Sequence, residues 1–406
     1  MKTEKSRWLI LALSVLVNLC NGVGYAWSVF AEPLRAQFGW SPEQLALAFT
    51  INMGFVAPFA MIASARIQKW KGARFSIILG SILTAAGLIL TSFANSLATL
   101  YLFYGVVSGF GFNISFGAVI SNTVKFFPDR KGLSLGLVIA GFGSGAIVMA
   151  PVVSLLIAAP GIGVMGAFRY LGVSLMLIVI AAGFLIENAP SQPAATAGNV
   201  AGKPASSALE GKTWKQLPAT PTFYLIVLLF ITASFTGLTV ISSVSPMAQK
   251  MFFLTPQTAA LIVGIVSVSN ALGRIGGGAL NDRIGNANVL AAIYGVSILA
   301  LLILVTFKTV SAFVPAMVLI GAAYGACMVT FPAIVSTRFG TEGFTANYGV
   351  TFFAYALSSF LAPRIAAMIR TANNGDYSAA FIVASFVAAA GLALSFMFKK
   401  IEAGKR

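Results

Sequence analysis

"ENAPSQPAATAGNVAGKPASSALEGKTWKQLPATP" runs from Glu187 to Pro221 and carries no apolar period. Ala, Pro, Ser and Gly dominate it, a composition that stays hydrated because it offers little side chain to bury. On both sides of it the chain changes character. Upstream, apolar runs lie near 8–31, 44–66, 74–94, 98–124, 133–157 and 165–187. Downstream they lie near 222–249, 257–281, 288–307, 311–336, 345–369 and 377–398. Each approaches the ~20 residues that a helix needs to cross a bilayer. Helices are expected throughout, because lipid offers nothing to pair with an open strand edge. The prediction is an all-α membrane protein of twelve transmembrane helices in two six-helix bundles, 1–190 and 221–406, joined by a cytoplasmic linker over 191–220.

Composition agrees with this reading. The 406 residues are 58% hydrophobic and only 9% charged, whereas a soluble domain carries about 25% charged residues. The net charge of +16 suggests an anionic partner. Nucleic acid is excluded as that partner, because Lys and Arg are scattered between apolar runs and form no basic tract. Their placement instead follows the positive-inside rule. One side gathers Lys2, Lys5, Arg7, Arg66, Lys69, Lys71, Arg74, Lys125, Arg130, Lys131, Lys203, Lys212, Lys215, Lys399, Lys400, Lys405 and Arg406. The other keeps Arg35, Arg169, Lys250, Lys308 and Arg370. Both termini are therefore expected in the cytoplasm, in a multi-pass protein of the inner (plasma) membrane, with anionic lipid head groups as neighbours. The N-terminal "MKTEKSRWLILALSVLVNLC" resembles the start of a signal peptide. Its apolar region continues to Phe30 without a small-x-small cleavage site, so a retained first span is expected.

The halves resemble each other. "WSPEQLALAF" (Trp40–Phe49) is matched by "LTPQTAALIV" (Leu254–Val263), 214 residues on. "KFFPDRKGLSLG" (Lys125–Gly136) is matched by "RFGTEGFTANYG" (Arg338–Gly349), and "KWKGAR" (Lys69–Arg74) by "DRIGNA" (Asp282–Ala287), both at 213. Three matches at one offset point to a duplicated six-helix unit, an arrangement that suits a carrier with its site between the halves.

One residue stands out within the spans. Arg274 lies about seven residues from Asn281, at the end of its run, or about 10 Å along the helix. A charge at that depth is costly and signals function. Snorkelling to the interface and a buried ion pair are the competing explanations. The first strains the reach of the side chain, and the second lacks a partner, since the Asp and Glu residues fall at span ends or in loops, Glu187 at the last position of the sixth run. Arg274 is therefore expected to face an aqueous cavity and bind an anion, its guanidinium fork matching a carboxylate. Asn270, one turn earlier on the same face, either orients Arg274, binds the same anion or packs helices together. Arg364 is expected to snorkel outward. Among the aromatics, Tyr25, Tyr324 and Tyr355 are the informative ones, because a buried hydroxyl needs a partner. Asn18, Asn21, Asn113, Ser115 and Thr330 are the other polar interruptions. The sequence has no histidine, and Cys20 and Cys327 lie in apolar runs as small buried hydrophobes. No nucleophile set, metal-ligand cluster or paired carboxylates can be drawn, so no enzyme, cofactor or metal is expected.

The twelve spans, the central loop and "GALNDRIG" (Gly278–Gly285) resemble the Major Facilitator Superfamily, whose loop motif reads G-x-x-x-D-R/K-x-G. The first-half copy, "ARIQKWKG" (Ala65–Gly72), departs from it, with Lys69 in the acidic position, which is expected to weaken the gate there. "GVGYAWSVFAEPL" (Gly22–Leu34), "FFPDRKGLSLG" and "NYGVTFFAYA" (Asn347–Ala356) are similar to oxalate/formate antiporter-type and monocarboxylate transporters. The resemblance implies that Arg274 binds the substrate carboxylate. It implies that Tyr25, Tyr324 and Phe352 line the cavity; Met328 fills another position that is aromatic in the family, and with Phe352, Phe331 and Phe116 it is expected to shape the apolar part. Where the oxalate carrier of that family has a lysine, this chain has Tyr355. A dianion would then leave one charge unpaired at low dielectric.

The expected function is secondary active transport of a small monocarboxylate of the lactate or pyruvate type. Proton symport by alternating access in a monomer is expected, the substrate carboxylate on Arg274 itself being the protonation partner. Oxalate/formate-type exchange is the alternative reading, and a membrane anion sensor a more distant one.

Overall fold

The computed structural model describes residues 2–189, 212–373 and 376–403. Most of the expected linker, including Lys203, lies outside the described residues, as do Lys405 and Arg406. The described residues form helices and connecting turns, with no strand. In chain order the long helices are α1 (Arg7–Phe38), α2 (42–71), α3 (73–91), α4 (Leu97–Phe126), α5 (Lys131–Ala158) and α6 (Gly163–Leu185). They continue with α7 (Pro221–Ile241), α8 (Pro256–Ile284), α9 (Asn286–Thr306), α10 (Val310–Phe339), α11 (Phe344–Ala372) and α12 (Ser378–Ala403). α2 and α3 follow each other directly within one 50-residue stretch, Pro42–Thr91. Gly72, at φ 85° and ψ 172°, breaks it into two spans. The seventh run is shorter than its hydropathy suggested. Its helix ends at Ile241, and a separate short helix, Val244–Lys250, follows.

The duplication extends to the backbone. Ser41 caps α2, its Oγ accepting from Gln44 N at 3.3 Å, with Pro42 in the first turn. Thr255 caps α8 likewise, accepting from Thr258 N at 3.3 Å, with Pro256 next. Such caps satisfy N–H groups that no helix can satisfy by itself. Gly72 and Gly285, 213 residues apart, both turn the chain at positive φ, 85° and 83°. There a side chain would be strained.

The loops beside the linker define one end of the molecule, here termed the linker side. The halves meet along two helix pairs, α5 with α8 and α2 with α11. Their contacts run from mid-depth to the linker side. Gly54 of α2 lies on Ala356 of α11, and Phe55 faces Phe360 at 6.0 Å between ring centroids. Deeper toward the linker side, Met61 covers Gly349, and Gln68 Nε2 donates to Thr345 Oγ1 at 3.1 Å. In the other pair, Gly132 and Gly278 bring α5 and α8 into backbone contact, leaving no room for a Cβ. Asp282 then accepts from the amides of Gly132 and Leu133, both at 2.8 Å. These are free N–H groups of the first turn of α5, where a carboxylate is also favoured by the helix dipole. Lys69 occupies the position equivalent to Asp282, and among the described residues no carboxylate accepts from the first turn of α11; Gln68 instead donates to the Thr345 hydroxyl.

Candidate functional site

Arg274 projects from α8 at mid-depth and is 3% exposed. Its Nε donates to Asn270 Oδ1 at 3.0 Å, and Nη1 donates to the carbonyl of Ile139, on α5, at 2.6 Å. The arginine thus bridges the two halves. The guanidinium lies flat against Gly143 of α5, where any Cβ would overlap it. Nη2 has no hydrogen-bond partner among the described residues. Ion pairs occur elsewhere, for example Arg7 with Asp129 and Lys308 with Asp376, and none of those described includes Arg274. A guanidinium held by two neutral acceptors keeps its full positive charge to offer.

Beside it lies a cavity with about 440 Å³ of atom-free space, partly continuous with the exterior. From the first half it is lined by Tyr25, Met53, Phe112, Asn113, Phe116, Ile139 and Phe142. From the second half come Arg274, Met328, Tyr348, Phe352 and Tyr355. Local departures from regular helix place several of these. Tyr25 sits in a tightened turn of α1, Gly22–Ala26, where two glycines weaken the helix. Gly22 also lets α1 touch Gly145 of α5. Met53 sits in a widened turn of α2, Ile51–Phe55, a distortion that often marks functional sites. Tyr25 packs on Phe142 at 4.7 Å, and Phe142 in turn contacts Phe112 and Phe116 at 5.1 and 5.3 Å. On the opposite wall, Phe352 contacts Tyr355 at 4.7 Å and Tyr348 at 5.5 Å.

The expected residues divide into three groups. Arg274, Tyr25, Tyr355, Phe352, Met328 and Phe116 line the cavity together. Asn270 and Tyr324 stand one layer behind. Asn270 accepts from Arg274 while its Nδ2 donates to Gly321 O of α10 at 3.3 Å. Tyr324 packs on Gly237 of α7 and donates its hydroxyl to Tyr355 Oη at 3.4 Å. Phe331 lies apart, fully buried and stacked on Phe230 at 4.1 Å. Arg364 also lies apart, over the ring of Phe360 at 3.8 Å.

Sequence reasoning missed Tyr348, Phe112, Phe142, Met53 and Ile139, and it noted Asn113 without placing it in the site. Two of these carried a signal. Tyr348, Phe352 and Tyr355 repeat at i, i+4 and i+7, one face of one helix, and Phe112 stands one turn before Phe116. Phe142 is one of 33 phenylalanines with no pattern to mark it.

A family model described as the Major Facilitator Superfamily matches residues 11–363. The oxalate:formate antiporter of Oxalobacter formigenes is 26% identical over 393 residues, covering 96% of this chain and 91% of that one. Monocarboxylate transporter 12 of Xenopus laevis is 27% identical over 409 residues, covering 93% and 85%. Among solved structures, the Escherichia coli fucose:proton symporter superposes with a TM-score of 0.72 at 16% identity, covering 98% and 99%. That likeness concerns the fold alone.

Proposed function

The chain belongs to the Major Facilitator Superfamily, and from that premise we propose that this transporter carries a small monocarboxylate, of the lactate or pyruvate type, coupled to a proton. The observation that carries this reading is Arg274, a buried cation between the halves with one N–H edge free beside the cavity. The substrate carboxylate completes the guanidinium's bonding and supplies the counter-charge that the cavity lining lacks. Tyr25 and Tyr355 add hydroxyls, and the phenylalanines take the apolar remainder. The relatives named for monocarboxylates and for oxalate and formate support a carboxylate cargo. A single lining cation favours one carboxylate over two, since a second would be buried unpaired.

Transport proceeds by alternating access, residues 1–190 rocking against 221–406 around the carboxylate. The contacts of Asp282 and Gln68 support reading this conformation as closed on the linker side, with that side and both termini in the cytoplasm. No His or acid lines the cavity, so the symported proton joins the substrate carboxylate as it parts from Arg274 and does not sit on a side chain. The test is uptake of labelled lactate into proteoliposomes under an imposed pH gradient, with pyruvate, formate and oxalate as competitors. A proton gradient directed inward, acid outside, is expected to accelerate uptake, and oxalate is expected to compete poorly. Uptake indifferent to the gradient and driven by internal oxalate would establish exchange instead.

A further inference from the structure

We propose that Asn113 makes the carrier selective for 2-hydroxy acids over the corresponding 2-keto acids; this rests on the monocarboxylate reading of the same cavity. Asn113 is 1% exposed and lines the cavity from α4, in the half opposite Arg274. Its Nδ2 donates to two backbone carbonyls, Gly109 O at 2.8 Å and Asn52 O at 3.2 Å. Both partners can only accept, so the amide cannot be flipped without setting Oδ1 against two carbonyl oxygens. Both N–H bonds are thereby spent within the helix bundle. Oδ1 has no partner among the described residues and is the uncommitted polar atom of this lining side chain.

An amide oxygen is an obligate acceptor. The other polar groups of the lining are not: the hydroxyls of Tyr25, Tyr348 and Tyr355 donate or accept, and Arg274 only donates. The cavity is thus polarised, with a donor pole on α8 for the carboxylate and an acceptor pole on α4 for a group that can give a hydrogen. A 2-hydroxy acid satisfies both, its hydroxyl donating to Asn113 Oδ1. A 2-keto acid brings a second acceptor and leaves two oxygens facing each other. An unsubstituted acid leaves Oδ1 desolvated and unpaired. Because the two poles belong to different halves, the ligand also ties the halves together.

Matched triads in proteoliposomes test this: lactate, pyruvate and propionate, then glycolate, glyoxylate and acetate, each competing for labelled lactate uptake. The hydroxy member of each triad is expected to compete roughly tenfold better than the other two, the scale of one lost hydrogen bond with a buried acceptor stranded. Asn113→Leu is expected to level the triads. Equal competition by wild-type protein, or pyruvate ahead of lactate, overturns the role of Asn113 while leaving monocarboxylate transport intact. If Asn113→Leu does not fold, the wild-type ratios decide alone. If no acid is taken up and none raises the melting temperature of the detergent-solubilised protein, the monocarboxylate reading itself fails, and the role of Asn113 with it.

Discussion

Arg274 was legible in the sequence because a charge within a span has few ways to be stable. Its own bonding was not legible: a backbone carbonyl of α5, 135 residues away, takes Nη1, and Asn270 takes Nε. Those two bonds fix the plane of the guanidinium, and Gly143 leaves room for it. Lysine offers a point charge that cannot keep both acceptors and still present a flat N–H edge. Arg274→Lys is therefore expected to lose nearly all lactate uptake in proteoliposomes, and unchanged uptake would remove Arg274 from the site. Gly143→Ala tests the same geometry without touching the charge. Its methyl group would push the guanidinium out of place, and a displacement near 1 Å can cost about a hundredfold in activity. The variant is expected to be monodisperse and helical but nearly inactive. Full activity would show that the arginine need not lie where it does. Asn113 illustrates the opposite case, a residue visible in the sequence only as a polar interruption, whose role depends on which way its amide is held.

Among elements, α5 and α8 show how a local motif becomes a contact. "GALNDRIG" predicted a loop with a purposeful acid, and the fold brings Asp282 onto the first turn of α5. Charge-assisted hydrogen bonds are about twice as strong as neutral ones. Asp282→Asn keeps one acceptor and loses the charge. Hydrogen–deuterium exchange at Gly132 and Leu133 is expected to quicken by roughly tenfold, the difference between a charged and a neutral bond. The equivalent site in the other half makes the reciprocal experiment. Lys69→Asp would place a carboxylate opposite the first turn of α11, and exchange at Thr345 and Ala346 is expected to slow. Unaltered exchange in both variants would mean that Asp282 does not hold the linker side closed. The expectation that Lys69 weakens this gate came from a motif comparison, and the structure supplies the neutral Gln68–Thr345 bond that stands in its place.

For the whole molecule, the proposed rocking about the central cavity requires the linker side to part. Gln68 and Thr345 touch across the halves there at 3.1 Å. Oxidising a Gln68→Cys/Thr345→Cys pair is expected to abolish lactate uptake while leaving lactate binding measurable, with uptake restored by a reductant. Uptake that survives cross-linking would rule out this motion. At this scale the sequence by itself determined the membrane class, the apolar runs, the repeat at 213–214 residues and the charge of Arg274 deep within one of those runs. These follow from hydropathy and chain length, which are properties of short segments read in order. It could not show that Gly72 makes the break between α2 and α3 at positive φ, or which aromatics meet around Arg274. A helix apolar on all sides has no amphipathic stripe to reveal its rotation, because lipid and protein interior reward the same side chains. Only the packing of α1, α2, α4 and α5 against α8, α10 and α11 decided that Phe142 faces the cavity and Phe331 does not. It also decided that Arg274, lacking a carboxylate partner among the described residues, leaves one edge free beside that cavity.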